Sequence, residues 1–219
     1  MPPLSFGRAA QAVTLAAASM AIYVPLAGAD RVTITFERAV PGTLPRPFLA
    51  MSSQEAEPGH WEVTRVGEEP VLTQTVVGRS GYRLAALETP QIEHVRMGVR
   101  LRVAERGDRA AGLAWRVRDA ENYYAARIDF KEREFVLHKF VRGNRIRLAR
   151  LDGIRLAPDA WHELVVEHPG ETIRVWLNGI PVATERDRSV RGPGMMALWM
   201  PGDSSCHFSR LWYEPLDRN

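Results

Sequence analysis

The stretch that most constrains this chain runs from Trp161 to Val182, WHELVVEHPGETIRVWLNGIPV. Leu164 and Val166 alternate with Glu163, Val165 and Glu167. His168-Pro169-Gly170-Glu171 breaks the run, and Ile173, Val175 and Leu177 then alternate with Arg174, Trp176 and Asn178. Period-two alternation on both sides of a Pro-Gly break predicts a β-hairpin with one apolar and one wet face. Asn178-Gly179, two residues that tolerate positive φ, predict a further turn at its end. Two antiparallel strands are marginal alone in water, so a larger sheet must surround this hairpin.

The rest of the sequence supplies one. Arg31–Phe36, Trp61–Val63, Val71–Val77, the Tyr82 strand, Gln91–Val103, Ala111–Val117, Tyr123–Phe130, Phe135–Val141, Arg145–Leu151, Met195–Met200 and His207–Tyr213 are each short, alternating or β-branched. Pro, Gly, Asn or Asp punctuates the joins, and Pro41, Gly42, Pro45 and Pro47 predict a loop. Ser52–Gly59 reads as polar linker. No amphipathic helix competes. The expectation is an all-β, two-sheet antiparallel β-sandwich of the jelly-roll type. No internal repeat or change of composition divides it, so residues 30–219 form a single domain.

Before Asp30 the pattern changes. Arg8 is the sole charged residue of the first 29, and the apolar run from Ala9 to Leu26 ends in Ala27-Gly28-Ala29. A short apolar segment closed by a small-x-small site predicts a secretory signal peptide over residues 1–29, cleaved after Ala29. Pro25 and the shortness of the run argue against a membrane anchor. The expected address is secreted or periplasmic. Cys206, the one cysteine, forms no internal disulfide, so stability must come from the core. The 29 basic and 26 acidic residues give a net charge of +3, spread along the chain rather than gathered in a block, which argues against a nucleic-acid partner.

From Gly112 onward three segments carry a resemblance: GLAWRVRDAENYYAARID, WHELVVEHPGETIRVWLNGIPV and GPGMMALWMPGDSSCHFSRLWYE. Their order resembles the concanavalin A-like lectin/glucanase superfamily, in the laminin-G-like branch that includes bacterial 3-keto-disaccharide hydrolase-like domains. The resemblance implies a jelly roll. It leaves activity open, because this fold carries lectins, glycosidases and structural modules.

The residues decide further. A retaining glucanase of this superfamily would carry Glu-x-Asp-x-x-Glu along one strand. Glu185-Arg186-Asp187-Arg188-Ser189-Val190 lacks the third carboxylate and reads as lying after a strand. Glu132-Arg133-Glu134 reads as a solvated hairpin tip, and no catalytic residue is assigned. The six histidines show no metal-ligand spacing. His162 and Trp115 read as packing residues. Asp203, in the Asp203-Ser204-Ser205 loop, is the candidate Ca²⁺ ligand that laminin-G-like domains imply, with a plain loop the simpler reading. No other cofactor is expected.

Strand parity then selects a ligand-binding set. Trp176 shares the wet face with Arg174 and Asn178. Tyr123, Arg127 and Asp129 lie opposite Tyr124, Ile128 and Phe130, and Arg116 lies opposite Trp115. With Glu163 and Trp199 these are the candidate ligand-binding residues: Arg116, Tyr123, Arg127, Asp129, Glu163, Trp176 and Trp199. A ring that packs on a sugar face, beside charged forks for its hydroxyls, points to a glycan or polysaccharide partner on a concave sheet. Arg142, Arg145, Arg147 and Arg150 flank one turn; an anionic glycan or nucleic acid is one reading, and a solvated, aggregation-guarding strand edge is preferred. The expected function is an exported, non-catalytic carbohydrate-binding module. The alternatives are a hydrolase similar to the 3-keto-disaccharide enzymes, using Asp129, Glu163 or Asp203 as acid/base, and an interaction module without small ligand.

Overall fold

The computed structural model describes residues 22–25, 31–53, 57–75, 80–103, 109–157 and 160–217. The expected leader therefore lies outside the described residues except for 22–25. All regular structure is β: β1 (Ile22–Pro25), β2 (Val32–Thr35), β3 (Phe48–Ser52), β4 (Trp61–Val66), β5 (Glu69–Gln74), β6 (Tyr82–Ile92), β7 (Val95–Val103), β8 (Ala110–Asp119), β9 (Asn122–Asp129) and β10 (Glu134–Val141). The series ends with β11 (Asn144–Asp152), β12 (His162–His168), β13 (Thr172–Leu177), β14 (Ile180–Arg186), β15 (Gly194–Pro201) and β16 (Cys206–Pro215). No helix among the described residues is long and apolar enough to cross a membrane.

Two antiparallel sheets face each other. A seven-stranded sheet has the order β11-β10-β9-β8-β15-β6-β3; a nine-stranded sheet runs β1-β2-β16-β7-β12-β13-β14, with β5 joined to β16 and β4 to β5. The opening hairpin is β12–β13, with Leu164 opposite Leu177 and Val166 opposite Val175. Its apolar parity meets Leu113, Trp115, Ile128 and Leu137 of the other sheet in one core. Leu164, Val166, Ile173, Val175, Trp115 and Tyr124 are fully buried. Cys206 is a free, buried thiol.

Four details depart from the sequence reading. Gln91–Val103 is not one strand: Gln91 and Ile92 end β6, and a turn at Glu93-His94 starts β7. The alternation continues across that turn, so periodicity alone hid it. Phe48–Ser52 is a strand pairing with β6, where only loop and linker were read. Glu185 and Arg186 lie on β14 rather than after it. Glu134 opens β10 and is buried, not solvated at a tip.

Candidate functional site

Strand parity builds the outer face of the seven-stranded sheet in rows. Arg147, His138, Ala125, Ala114, Ala197, Ala86 and Leu49 face one another across β11, β10, β9, β8, β15, β6 and β3. The four central alanines leave a floor without bulk. On it lie Trp199 and, stacked on Trp199 at 4.8 Å between ring centroids, Tyr82. Tyr82 also meets Phe140 edge-on at 5.1 Å, and Phe140 stacks on Tyr123 at 4.3 Å. Tyr82 stands on β6 and Phe140 on β10, four strand steps or roughly 19 Å apart in a flat sheet. Their contact shows that the sheet curls toward this face, which is the concave one. The Arg145 guanidinium donates to the Tyr82 hydroxyl at 2.6 Å and completes the crossing to β11. Tyr123 and Trp199 are thereby fully buried, and burial holds the Tyr123 phenol well above the usual tyrosine range. The middle of the groove is filled by the protein's own rings.

Charge occupies the end of the groove. Arg127 forks between two carboxylates, Nη1 to Asp129 Oδ2 at 2.6 Å and Nη2 to Glu134 Oε1 at 2.6 Å. Asp129 and Glu134 are directly opposed on β9 and β10. Asp129 Oδ1 accepts the backbone N–H groups of Lys131 and Glu132, so the turn pins it as well. Arg150 closes the set, its Nε 2.9 Å from Glu134 and 2.7 Å from Asp152. Beside Asp129 opens a pocket of about 390 Å³ lined by Phe130, Arg133, Ile154, Arg155 and Leu156. Mutually paired guanidinium and carboxylate groups present donors and acceptors already fixed in place, which lowers the ordering cost of binding.

The sequence-selected residues divide between the sheets. Tyr123, Arg127, Asp129 and Trp199 share the concave face, two of them as buried filler. Arg116 does not reach it. Within the irregular β8–β9 pairing between Trp115 and Asp119 its φ is +47°, and its buried guanidinium donates to the carbonyls of Glu93 (2.8 Å), Val190 (3.2 Å) and Gly170 (2.8 Å). Burial lowers its pKa despite nearby Tyr124, Glu93 and Asp187. Arg116 is a tie between loops.

Glu163 and Trp176 sit on the outer face of the nine-stranded sheet. There Trp212 lies on Gly98 and donates Nε1–H to Glu163 at 3.2 Å. Arg31 covers Trp212 at 4.0 Å, and Arg96 stands 6.0 Å from Trp176 and 5.9 Å from Trp212. Glu167 takes Arg174 at 2.8 Å. Each ring and carboxylate here already has an internal partner. Asp203 is exposed in the β15–β16 turn, whose Ser204 Oγ accepts the Ala110 N–H at 3.3 Å. Among the described residues no group of three His, Cys, Asp or Glu side chains is placed to hold a metal ion.

A second polar cluster lies in the core. Trp115 Nε1–H donates to His168 Nδ1 at 2.9 Å, and the Tyr124 hydroxyl donates to Asp187 Oδ1 at 2.6 Å. Lys139 Nζ holds Asp187 Oδ2 at 2.6 Å. Burial, reinforced by Arg116, drives His168 down to about 3. Burial would raise Asp187, but Lys139, Tyr124 and Ser189 outweigh it and bring the carboxyl to about 2. Asp187 Oδ1 also accepts the Ser189 N–H at 2.8 Å, so the carboxylate docks the 187–190 loop onto β9 and β10. The groove residues that parity did not single out are Glu134, His138, Arg147 and Tyr82. Glu134, Val136, His138 and Phe140 do alternate in phase, and that was the available signal.

No protein-family model matches the sequence, and no match to a curated protein is found. Solved structures do match. The carbohydrate-binding module CBM66 from Bacillus subtilis is 20% identical, with a TM-score of 0.59 over 77% of this chain and 99% of that one. Bacillus licheniformis β-glucanase is 11% identical, with a TM-score of 0.57 over 87% and 100%. A Bacillus subtilis protein of unknown function with a galectin-like fold is 12% identical, with a TM-score of 0.59 over 90% and 100%. The likeness is one of fold: this is the concanavalin A-like jelly roll.

Proposed function

We propose that the protein is an exported, non-catalytic carbohydrate-binding module whose ligand rests at the charged end of the concave groove. The observation that carries this is the Arg127 fork on Asp129 and Glu134 beside the Phe130 pocket. Sugar hydroxyls donate and accept at once, and a paired, immobile guanidinium and carboxylate answer both needs. Phe130 and Leu156, which pack on the inter-sheet core, give the adjoining pocket an apolar wall against which a pyranose face can rest. The likeness to a carbohydrate-binding module supports the reading at the level of fold.

The test is affinity electrophoresis and calorimetry of the exported chain on a panel of neutral and acidic polysaccharides. Arg155→Ala removes an exposed pocket arginine and should weaken binding about tenfold, the equivalent of one lost charge-assisted hydrogen bond. Trp176→Ala, on the other sheet, should leave binding unchanged. No retention on any polysaccharide, or an Arg155→Ala protein that binds like the wild type, would sink the assignment.

The direct opposition of Asp129 and Glu134 favours a second reading, a glycoside hydrolase working on the same groove. Both carboxylates are clamped by Arg127, and Glu163 lies on the other sheet, so the acid/base set Asp129, Glu163 and Asp203 is not assembled as one site. Release of reducing ends from a bound glycan, abolished in Glu134→Gln, would establish this reading over the first.

A further inference from the structure

The groove also specifies the charge of its ligand. β11 pairs regularly with β10 except at one point: Leu137 faces Ala149 and His138 faces Arg147, so Leu148 is left over as a bulge. The extra residue resets the parity. Arg145, Arg147, Arg150 and Asp152 consequently face Phe140, His138, Val136 and Glu134, all on the concave side. Simple alternation from Arg145 would have put Ala149 and Leu151 there.

The four side chains are not equivalent. Arg150 is neutralised by Glu134 and Asp152, and Arg127 by Asp129 and Glu134. Arg145 and Arg147 are exposed, and neither has a carboxylate partner among the described residues. The bond that Arg145 makes is to the neutral Tyr82 hydroxyl. Between these guanidiniums and Arg127 lies His138, 5% exposed, with Nδ1 buried and lacking a hydrogen-bond partner. Burial, then the charges of Arg145, Arg127 and Arg147, drive His138 down to about 3; of the three arginines, only Arg127 is paired with carboxylates. A strand edge charged only against aggregation has no reason to sort its charge by face. β11 does sort it, leaving Ile146 and Leu151 exposed on the other side.

We propose that the ligand is an acidic glycan whose anionic groups are gripped by Arg145 and Arg147 beside His138. The inference rests on the carbohydrate reading above and adds the substrate class. Each guanidinium offers a planar fork to a carboxylate or sulfate oxygen pair. His138, neutral and nearly buried between these two guanidiniums and Arg127, adds no charge of its own to the site.

Four probes separate the outcomes: polygalacturonate, dextran sulfate, plain dextran and a single-stranded RNA oligomer, each titrated at low and at high salt. One acidic polysaccharide should bind at least tenfold more tightly than dextran at low salt and lose that margin as salt screens the pair. Polygalacturonate in first place identifies carboxylate, dextran sulfate identifies sulfate. Arg147→Ala should remove about tenfold of the acidic-glycan affinity and none of the thermal stability, with Arg147→Lys recovering part of it. Equal binding of dextran and the acidic chains would overturn the charge assignment and leave the carbohydrate reading standing. RNA binding tighter than either acidic polysaccharide would overturn it in favour of nucleic acid. Silence from all polysaccharides would overturn both.

Discussion

At the scale of single residues, buried histidines set how this protein responds to acid. His138 and His168 are each held near 3 by burial and by neighbouring arginines, against about 6.5 in an unfolded chain. Between those values the unfolded state binds the extra proton, so stability falls as pH drops from 6.5 toward 3. Each group contributes about 1.4 kcal/mol per pH unit in that window. Asp187, held at about 2, adds to the loss only below its ordinary 3.8. Urea denaturation at pH 7, 6 and 5 should show the decline, and His138→Gln should flatten it by about one proton; equal stability at pH 7 and 5 would refute it. Gly98 makes a second case. A Cβ there would lie 2.6 Å from the Trp212 ring, so Gly98→Ala must push the indole off Glu163. A cost of about 1–3 kcal/mol is expected from this overpacking, read as a lower urea midpoint with altered tryptophan emission.

The element that decides the groove is β11, and the element that closes it is β6. Tyr82→Ala should destabilise the protein by about 3–4 kcal/mol, as large-to-small aromatic changes in cores do, and should open Trp199 to acrylamide quenching. Unchanged quenching would show that Tyr82 is not the cover. Elements were also where sequence reading met its limit. Tyr123, Arg127 and Asp129 follow regular parity on β9, and their shared face was legible. Arg116 was not, because the irregularity after Trp115 rotates it out of register. The Leu148 bulge likewise gathers arginines that alternation distributes over two faces. A bulge shifts the phase of the pattern, here at the consecutive Leu148 and Ala149, and a reading that assumes strict alternation runs through it.

The whole molecule was the most legible level. Alternating strands with Pro and Gly joins called for two sheets, and two sheets are present with the expected hairpin in the core. Which sheet each strand joins was not legible, because pairing partners are set by long-range register; Glu163 and Trp176 therefore lie on the sheet opposite Arg127 and Asp129.

The Tyr82 ring, bridging from β6 to Phe140 and Arg145, lays a crosspiece over the concave surface. On the carbohydrate reading proposed above, a long chain would meet this bridge and would enter by its terminus. Occupancy should then follow the molar number of chain ends and not the mass of polymer. Cutting a bound polysaccharide into short oligomers should multiply the sites titrated per gram in proportion to the new termini, and titration before and after a measured endo-cleavage reads that ratio directly.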